Sequence, residues 1–384
     1  SNDIGGHMLG GSDDAMAARW FQLGCFSPIN RLHSSNSGFT SKEPWRYSRD
    51  ARATMEAHLR LRHRLVPYLY TWARRSASEG IAPVRPVYHD HPRELAAYEH
   101  RGSFYFGDLL VVPFTSPLDV ATGLGRELTW LPDGVWYDLP TGRRYEATTG
   151  RRGRMLSLSR PLDRIGVLAR AGSVIPLAGN LTEAAGDNPR ELEIVVVPGG
   201  SGSFTLEEDD GSAQPGEDRI ARTHMALTWP EDEDGADVVL RIRLEGAAEV
   251  VPASRLVTVR LLAGRVAGAW LGVGERARRL ATEEVSGDGF TLGAGTLVHL
   301  EELSRQDLID GVQLVLRGTK HSPADWRDEV HAILDAARVE YMAKDLAWDA
   351  VQRGLSGTAL LGEMESLGLP ETLRAAVAEV LPHS

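Results

Sequence analysis

Near residues 80–83, Gly-Ile-Ala-Pro, the spacing of apolar residues in this 384-residue chain changes, and that change limits what the chain can fold into. Upstream, Met55, Leu59, His63, Val66 and Leu69 recur every three or four positions, the spacing of one helical face. A helix is expected over 50–76, kinked or divided at Pro67, because proline removes a backbone donor in mid-helix. Downstream the period is two. Residues 84–88, 109–114, 129–131, 167–168 and 174–177 are short strand candidates, with turn signals at Pro132-Asp133-Gly134 and Pro140-Thr141-Gly142. A polar stretch at 180–190 leads to further strands at 192–197, 238–244, 256–262 and 296–300, for which packed sheets are the natural arrangement.

At the other side of this boundary, a short helix is expected over 13–22. The run Gly24-Cys25-Phe26 reads as a buried strand ending at Arg31 and His33. Asp3 is followed at once by Ile4-Gly5-Gly6-His7, so both clusters put polar groups just beyond an apolar segment, where barrel strands give way to active-site loops. Glycine directly after Asp3 permits a sharp turn and a close approach to the backbone. In the tail, Ser322 and Pro323 read as a helix start, followed by an apolar stripe of Trp326, Val330, Ile333, Leu334 and Ala337. A further helix is expected over 370–381. No chemistry is assigned to this helical appendage.

Composition excludes several classes. A net charge of −11 argues against nucleic acid as a partner, since phosphate binding requires a basic face. No apolar run reaches the roughly 18 residues of a membrane-spanning helix. The single Cys25 cannot form an internal disulfide and fits a reducing, cytoplasmic compartment. No P-loop, Cys-x-x-Cys pair or cofactor motif is present.

The motifs Asp3-Ile4-Gly5-Gly6, Arg19-Trp20-x-Gln22-x-Gly24-x-Phe26-Ser27-Pro28, Arg31-x-His33 and Glu43-Pro44-Trp45 stand in one order. Together with 65–71 (LVPYLYT), 106–113 (FGDLLVVP), Trp136-Tyr137-Asp138 and 170–176 (RAGSVIP), they resemble glycoside hydrolase family 31, over roughly the first two-thirds of the chain. The resemblance implies α/β plus all-β architecture. The C-terminal end of a (β/α)8 TIM barrel would occupy 1–82 and a proximal β domain 83–178. A distal β-sandwich would follow at 179–302, both β domains antiparallel, and the helical tail at 303–384. It also implies a retaining α-glycosidase, with α-glucosidase first and α-xylosidase next. A non-catalytic carbohydrate-binding or scaffold protein is the contrasting reading.

A retaining glycosidase uses two carboxylates about 5–5.5 Å apart. In the family both precede the Asp-Ile-Gly-Gly segment, so no catalytic residue is assigned here. The chain is expected to be the C-terminal part of a longer enzyme, inactive and poorly soluble alone.

By resemblance, Asp3, Arg31 and His33 bind the hydroxyls of an α-linked sugar. A carboxylate accepts from vicinal hydroxyls while guanidinium and imidazole donate; the alternative is a structural Asp3–Arg31 ion pair. Trp45 offers a ring to a sugar face, as does Phe39, for which loop packing is the preferred reading, and His7 is a further pocket candidate. Tyr88-His89-Asp90-His91 has the look of metal ligands but lacks a fourth, so a solvated loop is expected and no metal or cofactor is assigned. The acidic runs Glu207-Glu208-Asp209-Asp210 and Glu231-Asp232-Glu233-Asp234 read as solvated turns.

Overall fold

Asp13 begins the first ordered helix. Its carboxylate accepts from the Met16 N–H at 2.9 Å, an N-cap that starts α1 (Asp14–Cys25). The structure, a computed structural model, describes residues 3–6, 11–35, 37–147, 153–213, 215–230, 237–272 and 277–382. His7 and Glu231 to Asp234 lie outside the described residues. Helix α1 runs on through Gly24 and Cys25, so the strand expected at 24–26 is instead the helix's last turn. Ala17, Ala18, Phe21 and Cys25 share one buried face at helical spacing, which overrides the local apolar run. Gly24 is needed there because a Cβ would overlap the Ile4 side chain. Ile4 in turn pairs with Leu32 through a single parallel bridge.

The long helical segment is two helices, α2 (Arg49–Arg64) and α3 (Val66–Glu79), divided at Leu65 with Pro67 in the first turn of α3. Proline there forfeits only a donor that a helix start leaves unpaired. Gly80, at φ 72°, ends α3 in the left-handed conformation.

Beyond Pro83 a six-stranded antiparallel sheet forms, in the order Val84–Pro86, Phe104–Phe106, Leu109–Val112, Gly166–Arg170, Val135–Asp138, Arg144–Glu146. A paired ribbon, Gly125–Leu131 with Arg154–Arg160, closes over Leu110, Val112, Trp136, Tyr145 and Leu168.

A second sheet runs Thr282–Val285, Gly295–His299, Ser254–Leu262, Glu191–Val196, Val174–Ala178; a third runs Gly202–Asp209, Ile220–Thr228, Val238–Gly246, Val312–Arg317, Gly268–Leu271, Arg278–Leu280. Both contribute to one core that includes Ile194, Val259, Leu261, Leu206, Leu240 and Leu314 and continues into Leu61, Leu65, Tyr68 and Trp72 of α2 and α3.

Three expectations change here. Val174–Ala178 belongs with the second sheet, not the proximal one, because it pairs with Glu191–Val196. Glu191–Val196 lies parallel to Ser254–Leu262; the chain between them crosses through the third sheet, a connection long enough for parallel pairing. Residues 303–321 pack with the sheets rather than with the helical appendage: after a short helix, Arg305–Asp310, the strand Val312–Arg317 sends Leu314 and Leu316 into the core between Val238–Gly246 and Gly268–Leu271.

The tail helices are α4 (Trp326–Ala336), α5 (Tyr341–Gln352), α6 (Gly357–Ser366) and α7 (Glu371–Val380), around their own core of Val330, Leu334, Val351, Leu360, Met364 and Leu373. The cap of α4 is Asp325, which accepts from Arg327 N–H at 2.9 Å, and not Ser322. The tail docks on the proximal sheet through Glu379 of α7. Its carboxylate accepts from Arg160 at 2.6 Å, Tyr145 at 2.7 Å, Arg143 at 3.0 Å and the Ser159 N–H at 2.6 Å. Arg160 also donates to Asp138 at 2.9 Å. Burial alone would raise the Glu379 carboxyl, but Arg160 and Arg143 hold it below the usual carboxylate range.

In α2, His58 is fully buried; its Nδ1 lies 2.8 Å from the Thr54 carbonyl, and burial pushes its pKa down to about 4. Asp288 opposes that shift and Arg19 adds to it. The unfolded chain therefore takes up a proton below about pH 6.5 while the folded chain does not. Stability should fall as pH drops from 6.5 towards 4, by about 2 kcal/mol at pH 5 from this group. Denaturation of wild type and His58→Leu at pH 7 and pH 5 checks this; an equal pH loss in both would sink it.

Candidate functional site

The bridge between Ile4 and Leu32 fixes the geometry at the start of the chain. Ile4 N–H donates to the Arg31 carbonyl at 3.2 Å, and Gly6 N–H returns to the Asp3 carbonyl at 2.8 Å. Gly5 and Gly6, at φ 86° and 79°, make that turn. Asp3 and Arg31 are thereby neighbours, and the Arg31 guanidinium pairs with the Asp3 carboxylate. The pair is open to solvent, with side chains 36% and 55% exposed, so it contributes at most about 1 kcal/mol to stability.

His33 follows two residues after Arg31, and its backbone carbonyl accepts from Lys42 Nζ at 2.5 Å. The same ammonium donates to the Gly6 carbonyl. Burial lowers the pKa of Lys42, opposed by the charge of Asp3. One lysine thus ties together the Asp3 loop and the Arg31–His33 segment. Gly5 makes room for it, since a Cβ there would lie 2.7 Å from Lys42 Cδ. Sequence reasoning passed over Lys42, because its bonds go to backbone atoms 9 and 36 positions away, a relation no local pattern encodes.

Beside the turn runs an open cleft, walled by Gly5, Gly6, Trp20, Phe39, Lys42 and Tyr47 among others. Phe39 is 96% exposed, which overturns the expectation that it packs within its loop. Trp45 sits on the one-turn helix Pro44–Arg46, is also exposed, and does not line that cleft. Asp3, Arg31 and His33 do not line it either; Gly6 and Lys42, which do, connect it to the Asp3–Arg31 segment.

The other candidates have different partners. Asp90 ends a short helical turn, Val87–Asp90, and is held by Arg85 at 2.9 Å, while His91 Nε2 lies 3.0 Å from the Tyr105 hydroxyl. Among the described residues no group of three or more His, Cys, Asp and Glu is placed to hold a metal. Glu207, Glu208 and Asp209 are not a solvated turn but the end of a strand, Gly202–Asp209. Glu208 is buried against Arg255. Glu207 accepts from Arg74 and Arg222, each at 2.9 Å, and Asp209 accepts from the Tyr70 hydroxyl. Arg74 and Tyr70 belong to α3, so this acidic run joins the helical layer to the third sheet.

Residues 1–72 match the glycosyl hydrolases family 31 TIM-barrel domain and residues 80–175 the glycosyl hydrolase family 31 C-terminal domain; over these segments the chain belongs to family 31. It is 30% identical over 237 residues to an alpha-xylosidase of Saccharolobus solfataricus, covering 61% of this chain and 31% of that protein. To the mouse lysosomal alpha-glucosidase it is 27% identical over 256 residues, 62% of this chain and 26% of that one. Among solved structures, a family 31 alpha-xylosidase of Xanthomonas citri superposes with TM-score 0.53 at 27% identity, over 65% of this chain and 26% of that chain. A Flavobacterium johnsoniae dextranase complexed with glucose gives 0.66 at 20% identity, over 82% and 39%, a likeness of fold alone. The chain therefore spans between a quarter and a third of the curated relatives named here.

Proposed function

We propose that this chain is the sugar-anchoring barrel end and the bracing β domains of a retaining α-glycosidase acting on α-glucosides. The observation that carries the reading is the solvent-open Asp3–Arg31 pair beside His33 in a family 31 barrel segment. In it, Asp3 accepts from two neighbouring hydroxyls, Arg31 and His33 donate to others, and Trp45 and Phe39 offer ring faces. The two carboxylates of double displacement would come from sequence outside these 384 residues. A second reading, α-xylosides as substrate, is favoured by the likeness to the alpha-xylosidases of S. solfataricus and X. citri. The proposed division is barrel end 1–82, proximal β domain 83–173, distal β-sandwich 174–321 and helical tail 322–384.

The test is hydrolysis of p-nitrophenyl α-glucoside and α-xyloside by this chain and by the protein expressed from its complete gene. Activity confined to the latter supports the reading and ranks the sugars. Activity in the 384-residue chain would make Asp3 the first suspect as a reacting carboxylate. Silence in both would favour a non-catalytic scaffold.

Lys42 offers a sharper check. In the complete protein, Lys42→Met should raise KM about tenfold, the equivalent of one charge-assisted hydrogen bond, with kcat less affected. Lys42→Arg should recover part of the loss. An unchanged KM in Lys42→Met would remove the lysine from the site.

A further inference from the structure

A second recess lies at the seam between the proximal sheet and the third sheet, and it shares no lining residue with the cleft beside Asp3. Its volume is about 390 Å³, within the range of small-molecule sites. On one side is the two-residue turn Gly107-Asp108, between the strands Phe104–Phe106 and Leu109–Val112. That turn is pressed onto α3. Asp108 N–H donates to the Tyr68 hydroxyl at 2.7 Å, and a Cβ on Gly107 would overlap Tyr68 and Trp72. The backbone carrying Asp108 is therefore rigidly seated.

The carboxylate of Asp108 is in a different situation. It is reached by solvent yet enclosed enough that desolvation raises its pKa, against the pull of Arg75 and Arg85. It accepts no hydrogen bond from the described residues. The turn before Val174–Ala178 and the strand Gly202–Asp209 add Ser173 and Ser203, whose hydroxyls make no bond to the described residues, whereas Ser201 is spent on the Trp229 backbone. Arg170 gives one nitrogen to the Asp133 carbonyl at 2.8 Å. The remaining nitrogens of its fork carry no bond to the described residues.

Charge decides the class of ligand. Arg85 and Arg170 face Asp90 and Asp108, Arg75 also draws on Asp108, and the Arg85–Asp90 pair is already closed at 2.9 Å. A phosphate or carboxylate would be set directly against the Asp108 carboxylate, and a cation would find a single open carboxylate among three guanidinium groups. What remains is one acceptor, one donor fork and two hydroxyls that do either, which suits a neutral ligand rich in hydroxyls.

We propose that this recess is a second carbohydrate site, which holds a stretch of neutral oligosaccharide away from the Asp3 cleft, with Asp108 and Arg170 as its principal hydrogen-bonding groups. The choice of an α-linked glucan or a xylose-branched glucan as occupant rests on the glycosidase reading above; the recess itself does not. Such a site would retain a long substrate between cleavage events without touching the reacting bond.

The experiment is calorimetric titration with maltoheptaose and, in parallel, a xylose-branched glucan oligosaccharide, using the protein from its complete gene. With Asp3→Ala removing the carboxylate proposed for the first site, a binding step should remain for one of the two sugars. Adding Asp108→Ala should weaken that step at least about tenfold, the loss of one hydrogen bond to a charged group. Ser203→Trp, an exposed position whose larger side chain fills the recess, should abolish it. Asp108→Ala alone should leave hydrolysis of a small p-nitrophenyl glycoside within about twofold of wild type. The proposal is overturned if Asp3→Ala protein binds neither sugar, or if the remaining step ignores both recess substitutions. Loss of p-nitrophenyl glycoside hydrolysis in the wild type would instead overturn the first site and leave the titration of the recess to be read separately.

Discussion

Replacing Glu379 by alanine should destabilise the protein by about 3–5 kcal/mol, the range for breaking a buried ion pair from one side. The side chain is 2% exposed, as is Arg160, and Arg160, Arg143 and Tyr145 all aim donors at its carboxylate. Without it, Arg160 keeps Asp138, but the second charge it was placed to meet is gone and cannot be replaced by water. Glu379→Gln should cost less, since an amide oxygen in the place of Oε1 still accepts from Tyr145 and Arg160, while the Ser159 N–H, which donates to Oε2, loses its acceptor. The pH dependence has a definite sign. Glu379 is held below its usual range, so its contribution is present above the unfolded value near 4.5 and is lost as pH falls through the folded one. Urea denaturation of the three proteins at pH 7 measures the effect; a change below about 1 kcal/mol for Glu379→Ala would mean the cluster is solvated.

The second large effect concerns activity. On the proposed reading, Asp3→Ala in the complete protein should lower kcat/KM by about two to four powers of ten. Two hydrogen bonds from sugar hydroxyls to a charged group contribute roughly 1.5–3 kcal/mol each, and a carboxylate accepts both. Stability should barely move, because the Asp3–Arg31 pair is solvent-exposed. This separation is the informative part: a melting temperature within about a degree, with activity nearly lost, identifies a ligand-binding carboxylate. Activity within threefold of wild type, or activity and stability lost together, would point to a structural pair.

The amino-acid sequence discloses those parts of the fold that depend on local repetition. The break at Pro67, the turn at Gly80 and most of the short strands follow from residue spacing and backbone limits within a few positions. The proximity of Asp3, Arg31 and His33 came from the order of the motifs, and the Ile4–Leu32 bridge supplies its physical cause. Where charge is buried, the pattern misleads. Glu207 to Asp209 look like a turn because nothing nearby reveals that Arg74, Arg222 and Arg255 arrive to neutralise them. Leu314 and Leu316 look like part of a tail until a strand from far upstream, Val238–Gly246, pairs beside them. Cys25 shows the reverse: a strand-like apolar run that helical spacing over the preceding turns claims instead.

Helix α3 presents Tyr68 to the proximal turn and Tyr70, Thr71 and Arg74 to the strand Gly202–Asp209, so it is shared by both layers. Native-state hydrogen exchange should register this as common fate. Amides of α3 and of that strand should open together, as one cooperative unit, while the tail helices around Val330 and Leu373 exchange on a separate schedule. A substitution deep in the third sheet would then reach α2 and the Asp3–Arg31 segment by loosening the helical layer, without touching that pair itself.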